Sequence, residues 1–132
     1  MVIRSPRRRR TSVRLVHSAA THVGRVRDSN QDDHGSAEGL YVLADGMGGH
    51  RGGEVAAALA VSTALDRFNG SSRIGLVRAV VAANRAIMER SLVDENLLGM
   101  GTTICAIAAV VGESGLDGLA VVNVGDSRVY HY

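Results

Sequence analysis

Apolar residues in this chain recur with two different periods. From Glu54 to Phe68 they fall at Ala58, Val61, Leu65 and Phe68, and from Arg73 to Leu92 at Leu76, Val80, Ala83 and Ile87. Steps of three and four predict a helix over each segment. Asn69-Gly70-Ser71-Ser72 between them reads as a turn. Elsewhere the apolar residues are bunched. Residues 40–44 form a short run ending at Asp45, and residues 102–112 are β-branched and apolar throughout, as in a strand buried on both faces. Glu113 to Gly118 reads as a hairpin turn into a strand at 119–124, and 13–20 and 128–132 read as two further strands. Long helices beside mixed strands predict an α+β fold.

Two of these strands deliver a carboxylate into a glycine turn. Leu40-Tyr41-Val42-Leu43-Ala44 runs into Asp45 and Gly46-Met47-Gly48-Gly49, and the run from Leu119 to Val124 leads through Gly125 to Asp126. Mg²⁺ and Mn²⁺ favour oxygen ligands on rigid supports, and glycine lets the backbone come close and offer its carbonyl. Asp and Gly also punctuate ordinary turns, so one such turn alone carries little. Upstream lies Arg25-Val26-Arg27-Asp28-Ser29-Asn30-Gln31-Asp32-Asp33. Taken alone it is a surface ion-pair cluster worth under about 1 kcal/mol. Beside two Asp-Gly turns, it points to phosphate held by an arginine fork against cations held by carboxylates.

Four blocks then occur in the order found in a known family: Gly24-Arg25-Val26-Arg27 running into Asn30-Gln31-Asp32; Ala44-Asp45-Gly46-Met47-Gly48-Gly49-His50; Gly99-Met100-Gly101-Thr102-Thr103; and Val124-Gly125-Asp126-Ser127-Arg128. Through them the chain resembles the bacterial branch of the metal-dependent serine/threonine protein phosphatases, the PPM or type 2C family, over residues 21 to 130. The resemblance implies the N-terminal half of a four-layer α-β-β-α sandwich. It implies hydrolysis of phosphoserine and phosphothreonine in proteins by metal-activated water, with two Mn²⁺ or Mg²⁺ ions and in bacterial members a third. It makes Arg27 the phosphate-binding arginine, Asp45 the carboxylate bridging two metals, and the Gly46 carbonyl a ligand of one of them. Asp32 becomes the acidic residue that orients metal-bound water, and Asp126 a ligand of the third ion.

The chain departs from the family pattern in three places. Gln31 stands where many members have Glu, which removes one negative charge. Met47 stands where animal members carry a histidine general acid. Tyr132 falls roughly halfway through the family's domain, before two later aspartates that complete the metal site. The expectation is therefore a phosphatase fragment or a degenerate product. The alternative is a non-catalytic remnant, or a phosphopeptide-binding module that pairs with another chain. Half a sandwich would also expose strand edges and one apolar sheet face, inviting self-association.

Charge and composition refine the picture. The 132 residues suit one domain, and all 15 basic residues are arginine. Six of them (Arg4, Arg7, Arg8, Arg9, Arg10, Arg14) precede residue 15, leaving nine arginines against thirteen acids beyond it, a balance of −4. Residues 1–12 read as a disordered basic tail, and 13–132 as the phosphatase half-domain. Nucleic-acid binding by the tail ranks last among the readings, because no aromatics are interleaved. No apolar run approaches the roughly 18 residues needed to span a membrane, so a cytoplasmic protein without membrane contact is expected. Cys105 sits in an apolar strand and reads as a small buried hydrophobe. Other chemistries lack their residues. Arg51 occupies the third glycine position of a dinucleotide fingerprint, a P-loop lysine is missing, and no Ser-centred elbow occurs. Of the histidines, His50 reads as a loop residue at a helix start. His17, His22, His34 and His131 show no metal-ligand spacing.

Overall fold

Glycine carbonyls and one serine hydroxyl set where the two long helices begin. In the computed structural model, which describes residues 15–37, 39–49, 51–70, 72–111 and 117–132, helix α1 spans Gly52–Arg67. Its first amides are satisfied by the preceding loop, Gly52 N–H donating to the Gly49 carbonyl and Gly53 N–H to that of Gly48, both at 3.1 Å. Helix α2, Arg73–Val93, starts at Ser72, whose Oγ accepts from Gly75 N–H at 3.0 Å. Both match the helices expected from periodicity to within two residues. On α1 the buried stripe is Ala56, Ala57, Ala60, Val61 and Ala64, while Ala58 is exposed. Small side chains there let the helix lie close to the sheet.

Five antiparallel strands make the sheet: β1 Asp32–Ala37, β2 Leu40–Met47, β3 Gly101–Thr102, β4 Ile104–Val111 and β5 Asp117–Val124. The order is β1-β2-β4-β5, with the short β3 pairing the end of β2. Alternate residues Leu40, Val42, Ala44, Ile104, Ala106, Ala108, Val110 and Ala120 are buried and share one core with the helices. Leu97 and Met100, in and beside a short 3₁₀ turn at Glu95–Leu97, close that core. The described chain is thus one helical layer on one sheet, an α+β arrangement. Among the described residues no helix is long and apolar enough to cross a membrane.

Three expectations need correction. Strand β1, Asp-Asp-His-Gly-Ser-Ala, was not foreseen. Residues 15–20 and 128–132 are not strands; they lack ladder partners, and parts of both line a cavity of about 760 Å³ on the sheet face opposite the helices. Strand β4 is not buried on both faces either. Its helix-side residues are buried, whereas Ile107, Ala109 and Val111 on the other side are partly open. With them lie Leu43, Leu119 and Val121, which are 46%, 53% and 53% exposed, so the apolar open face expected of a half-sandwich is present. The basic tail at 1–12, the turn residues 112–116 and His50 lie outside the described residues.

Candidate metal and phosphate site

The strand register brings two carboxylates together. Asp32 opens β1 and stands directly across from Asp45 near the end of β2. Such facing residues place their Cβ atoms about 4.5–5.5 Å apart, with both side chains on one face. That face is the open one, because alternation puts Asp45 with Tyr41 and Leu43 and puts Leu40, Val42 and Ala44 under the helices. Next in line, Gly46 N–H donates to the Gln31 carbonyl at 3.0 Å, pinning the loop before Asp32 to the turn after Asp45.

Tight backbone packing explains the glycines here. A Cβ on Gly46 would collide with the Gly53 carbonyl, and one on Gly53 would lie 2.8 Å from the Gln31 side chain and 2.9 Å from the Gly46 carbonyl carbon. The first turn of α1 therefore rests directly on the end of β2. Gln31 consequently lies against Gly53, between the loop and the helix.

Thr103 ties the two Asp-bearing turns to each other. Its N–H donates to the Asp45 carbonyl at 2.8 Å, and its Oγ1 accepts from Asp45 N–H at 3.0 Å. The same hydroxyl lies 2.7 Å from Ser127 Oγ, the residue after Asp126. Thr103 closes the block Gly99-Met100-Gly101-Thr102-Thr103 and proves to be the connection between Asp45 and the Asp126 turn.

Arg27, Asp32, Asp45 and Gly46 line one cavity of about 190 Å³, together with His22, Val23, Ser29, Asn30 and Gln31. Asp126 does not line it but bears on Asp45 electrostatically. The Asp45 carboxyl is raised above the ordinary carboxylate range, first by partial burial, then by the charge of Asp32 and a hydrogen bond with it, and then by the charge of Asp126; Arg27 opposes the shift. Two carboxyls this close form a donor set suited to a hard cation, which would relieve their mutual repulsion. The fit is incomplete in number: among the described residues no three His, Cys, Asp or Glu side chains are grouped to hold an ion unaided. Met47, 64% exposed at the end of β2, has no proton to give. His22 was set aside for lack of ligand spacing, yet the fold places it in this cavity. The Thr21-His22-Val23-Gly24 loop, an irregular segment tied through Thr21 to Asn30 nine residues on, gave no periodic signal by which to find it.

Known proteins resemble this chain in sequence and in fold. The serine/threonine protein phosphatase PstP of Mycobacterium tuberculosis is 38% identical over 125 residues, covering 92% of this chain and 23% of PstP. The serine/threonine phosphatase stp of Listeria monocytogenes is 34% identical over 123 residues, covering 83% of this chain and 47% of stp. The crystal structure of the PPM Ser-Thr phosphatase MsPP from Mycobacterium smegmatis, in complex with cacodylate, superposes with a TM-score of 0.68 at 40% identity, covering 82% of this chain and 44% of that one. The catalytic domain of PstP in complex with 2 manganese ions gives 0.67 at 39% identity, covering 80% and 45%. The chain thus spans less than half the length of each of these relatives. The sequence profile of protein phosphatase 2C matches residues 21–132, and with a shared fold and paired strand-end aspartates behind that match, the chain belongs to the protein phosphatase 2C family.

Proposed function

We propose that this chain is the phosphate- and metal-binding N-terminal half of a serine/threonine protein phosphatase that hydrolyses phosphoserine and phosphothreonine in proteins. The observation that carries the reading is the convergence of Arg27 with the facing pair Asp32 and Asp45 around one small cavity. Arg27 supplies a planar guanidinium that pairs two phosphate oxygens at once. Asp45 and the Gly46 carbonyl would hold Mn²⁺ or Mg²⁺, with Asp32 beside them and Asp126 toward a further ion. When bound, the metal neutralises phosphoryl charge and makes water a better nucleophile at neutral pH. Asp32 accepts a hydrogen bond from the attacking water and so orients it. Thr103 holds the Asp45 backbone from both sides and keeps its carboxylate aimed into the cavity.

The test is manganese-dependent release of phosphate from a phosphothreonine peptide by the purified chain, with Asp45→Asn as control. Release that requires manganese and disappears in the variant supports the enzyme. The small number of grouped ligands favours one second reading, a module that binds phosphopeptides and completes its site only with another chain. Peptide binding that depends on Arg27 without phosphate release would select that reading.

A further inference from the structure

His22 is exposed and is not one of the residues through which the chain resembles its family. Three hydrogen bonds nevertheless fix it and its loop. Gly24 N–H donates to His22 Nδ1 at 2.9 Å, across a turn in which Gly24 takes φ of +83°. That conformation suits glycine and closes the loop back on the ring. Next to it, Asn30 Nδ2 donates to Thr21 Oγ1 at 2.8 Å, and Asn30 Oδ1 accepts from Asp32 N–H at 3.1 Å. One asparagine thus fastens the His22 loop to the backbone that carries Asp32. His22 lines the same cavity as Arg27, Asp32, Asp45 and Gly46.

The first contact also decides the ring's chemistry. A nitrogen that accepts a hydrogen bond carries no proton, so the neutral ring must hold its proton on Nε2. The Gly24 contact therefore leaves Nε2 as the ring's donor. The cavity's volume of about 190 Å³ equals that of about six waters at roughly 30 Å³ each, room enough for a phosphoryl group. Its carboxylates repel a dianion unless cations intervene, so donors are needed where a phosphate oxygen faces away from Asp32 and Asp45.

We propose that His22 is a substrate-binding residue, donating from Nε2–H to a phosphate oxygen in the cavity it shares with Arg27. The proposal rests on the phosphatase-site reading above and adds a second phosphate contact to it. No proton is transferred in this contact.

Two substitutions separate the ring's two nitrogens. His22→Asn retains an acceptor near the Nδ1 position, able to hold Gly24 N–H as an Asx turn, but has no donor at the Nε2 position. His22→Gln carries an amide donor out to the Nε2 position. The probe is inorganic phosphate, titrated by calorimetry in Mg²⁺ into the wild type, both variants and Arg27→Ala. Long-range ¹H–¹⁵N spectra of the wild-type imidazole accompany the titration. The expected results are an Nε2–H tautomer whose signals move with phosphate, phosphate affinity about tenfold weaker in His22→Asn, and partial recovery in His22→Gln. An Nδ1–H tautomer, or wild-type phosphate affinity in a folded His22→Asn, overturns the role of His22 while loss of affinity in Arg27→Ala keeps the site reading intact. If Arg27→Ala also binds phosphate as the wild type does, or phosphate does not bind at all, the site reading fails and this contact fails with it.

Discussion

Asp45 is a residue whose surroundings suit a function better than they suit the fold. Partial burial, Asp32 and Asp126 all disfavour its charged form. An acid whose pKa is raised on folding keeps its proton more readily in the native state. The native state is therefore penalised as pH rises from below the unfolded carboxylate value, about 3.9, through the raised folded one, and the whole penalty is present at neutral pH. Asp45→Asn should then raise the melting temperature at pH 7 in EDTA, by a few degrees at most because the side chain is largely exposed and screened. The gain should vanish near pH 3, and Mn²⁺ should stabilise the wild type and not the variant. Equal melting temperatures at pH 7 would show that the carboxylates do not strain one another. Thr103 gives a contrasting case, since its hydroxyl serves Asp45 N–H and Ser127 together. Thr103→Val should cost about 1 kcal/mol in urea unfolding and weaken Mn²⁺ binding, whereas Thr103→Ser should restore most of both.

At the scale of elements, what could be read in advance tracks how much apolar pattern each segment carries. The helices were legible because one face of each must meet the core, and their apolar residues recur at helical spacing. Asp45 and Asp126 were legible because each ends or follows an apolar run, whereas Asp32 was legible only through the block it shares with Arg27. Strand β1 was not, since its helix-facing positions are Asp33, Gly35 and Ala37 and no hydrophobic alternation marks it. It is an edge strand held by pairing with β2 and by the close approach of α1, where a Cβ on Gly35 would come within 2.8 Å of Val61 Cγ1. Residues 128–132 failed in the opposite sense. Val129 and Tyr130 have strand propensity, but a strand needs a neighbour, and local preference cannot supply one. His22 was illegible because its place depends on Asn30 reaching Thr21, a contact between two loops. The same interlocking predicts where α1 cannot tolerate change. Gly53→Ala would drive a methyl group into Gln31 and the Gly46 backbone. The loss should exceed the roughly 1–3 kcal/mol of ordinary overpacking, because backbone cannot rotate aside. Soluble expression with a wild-type urea midpoint would disprove this seating of the helix.

For the molecule as a whole, the decisive asymmetry is between the two faces of the sheet. One is sealed by α1 and α2, while the other carries Tyr41, Leu43, Ile107, Leu119 and Val121 together with the candidate site at its edge. Apolar side chains in register on neighbouring strands, Tyr41 beside Ile107 and Ile107 beside Val121, form a contiguous patch instead of scattered exposures. Such patches on isolated domains drive association, because burying them gains about 25 cal/mol for each Å² removed from water. The site's aspartates share this face, so whatever covers the sheet also approaches the cations they would hold. The isolated chain should therefore bind a hydrophobic dye and sediment as concentration-dependent dimers or larger species. Leu43→Thr with Val121→Thr places β-branched residues at both strand positions while shrinking the patch. This pair should lower both dye binding and association without reducing the buried core. A wild-type chain that stays monomeric at high concentration and leaves the dye dark would mean that residues 15–19 and 128–130, which run along this face, already cover it well enough.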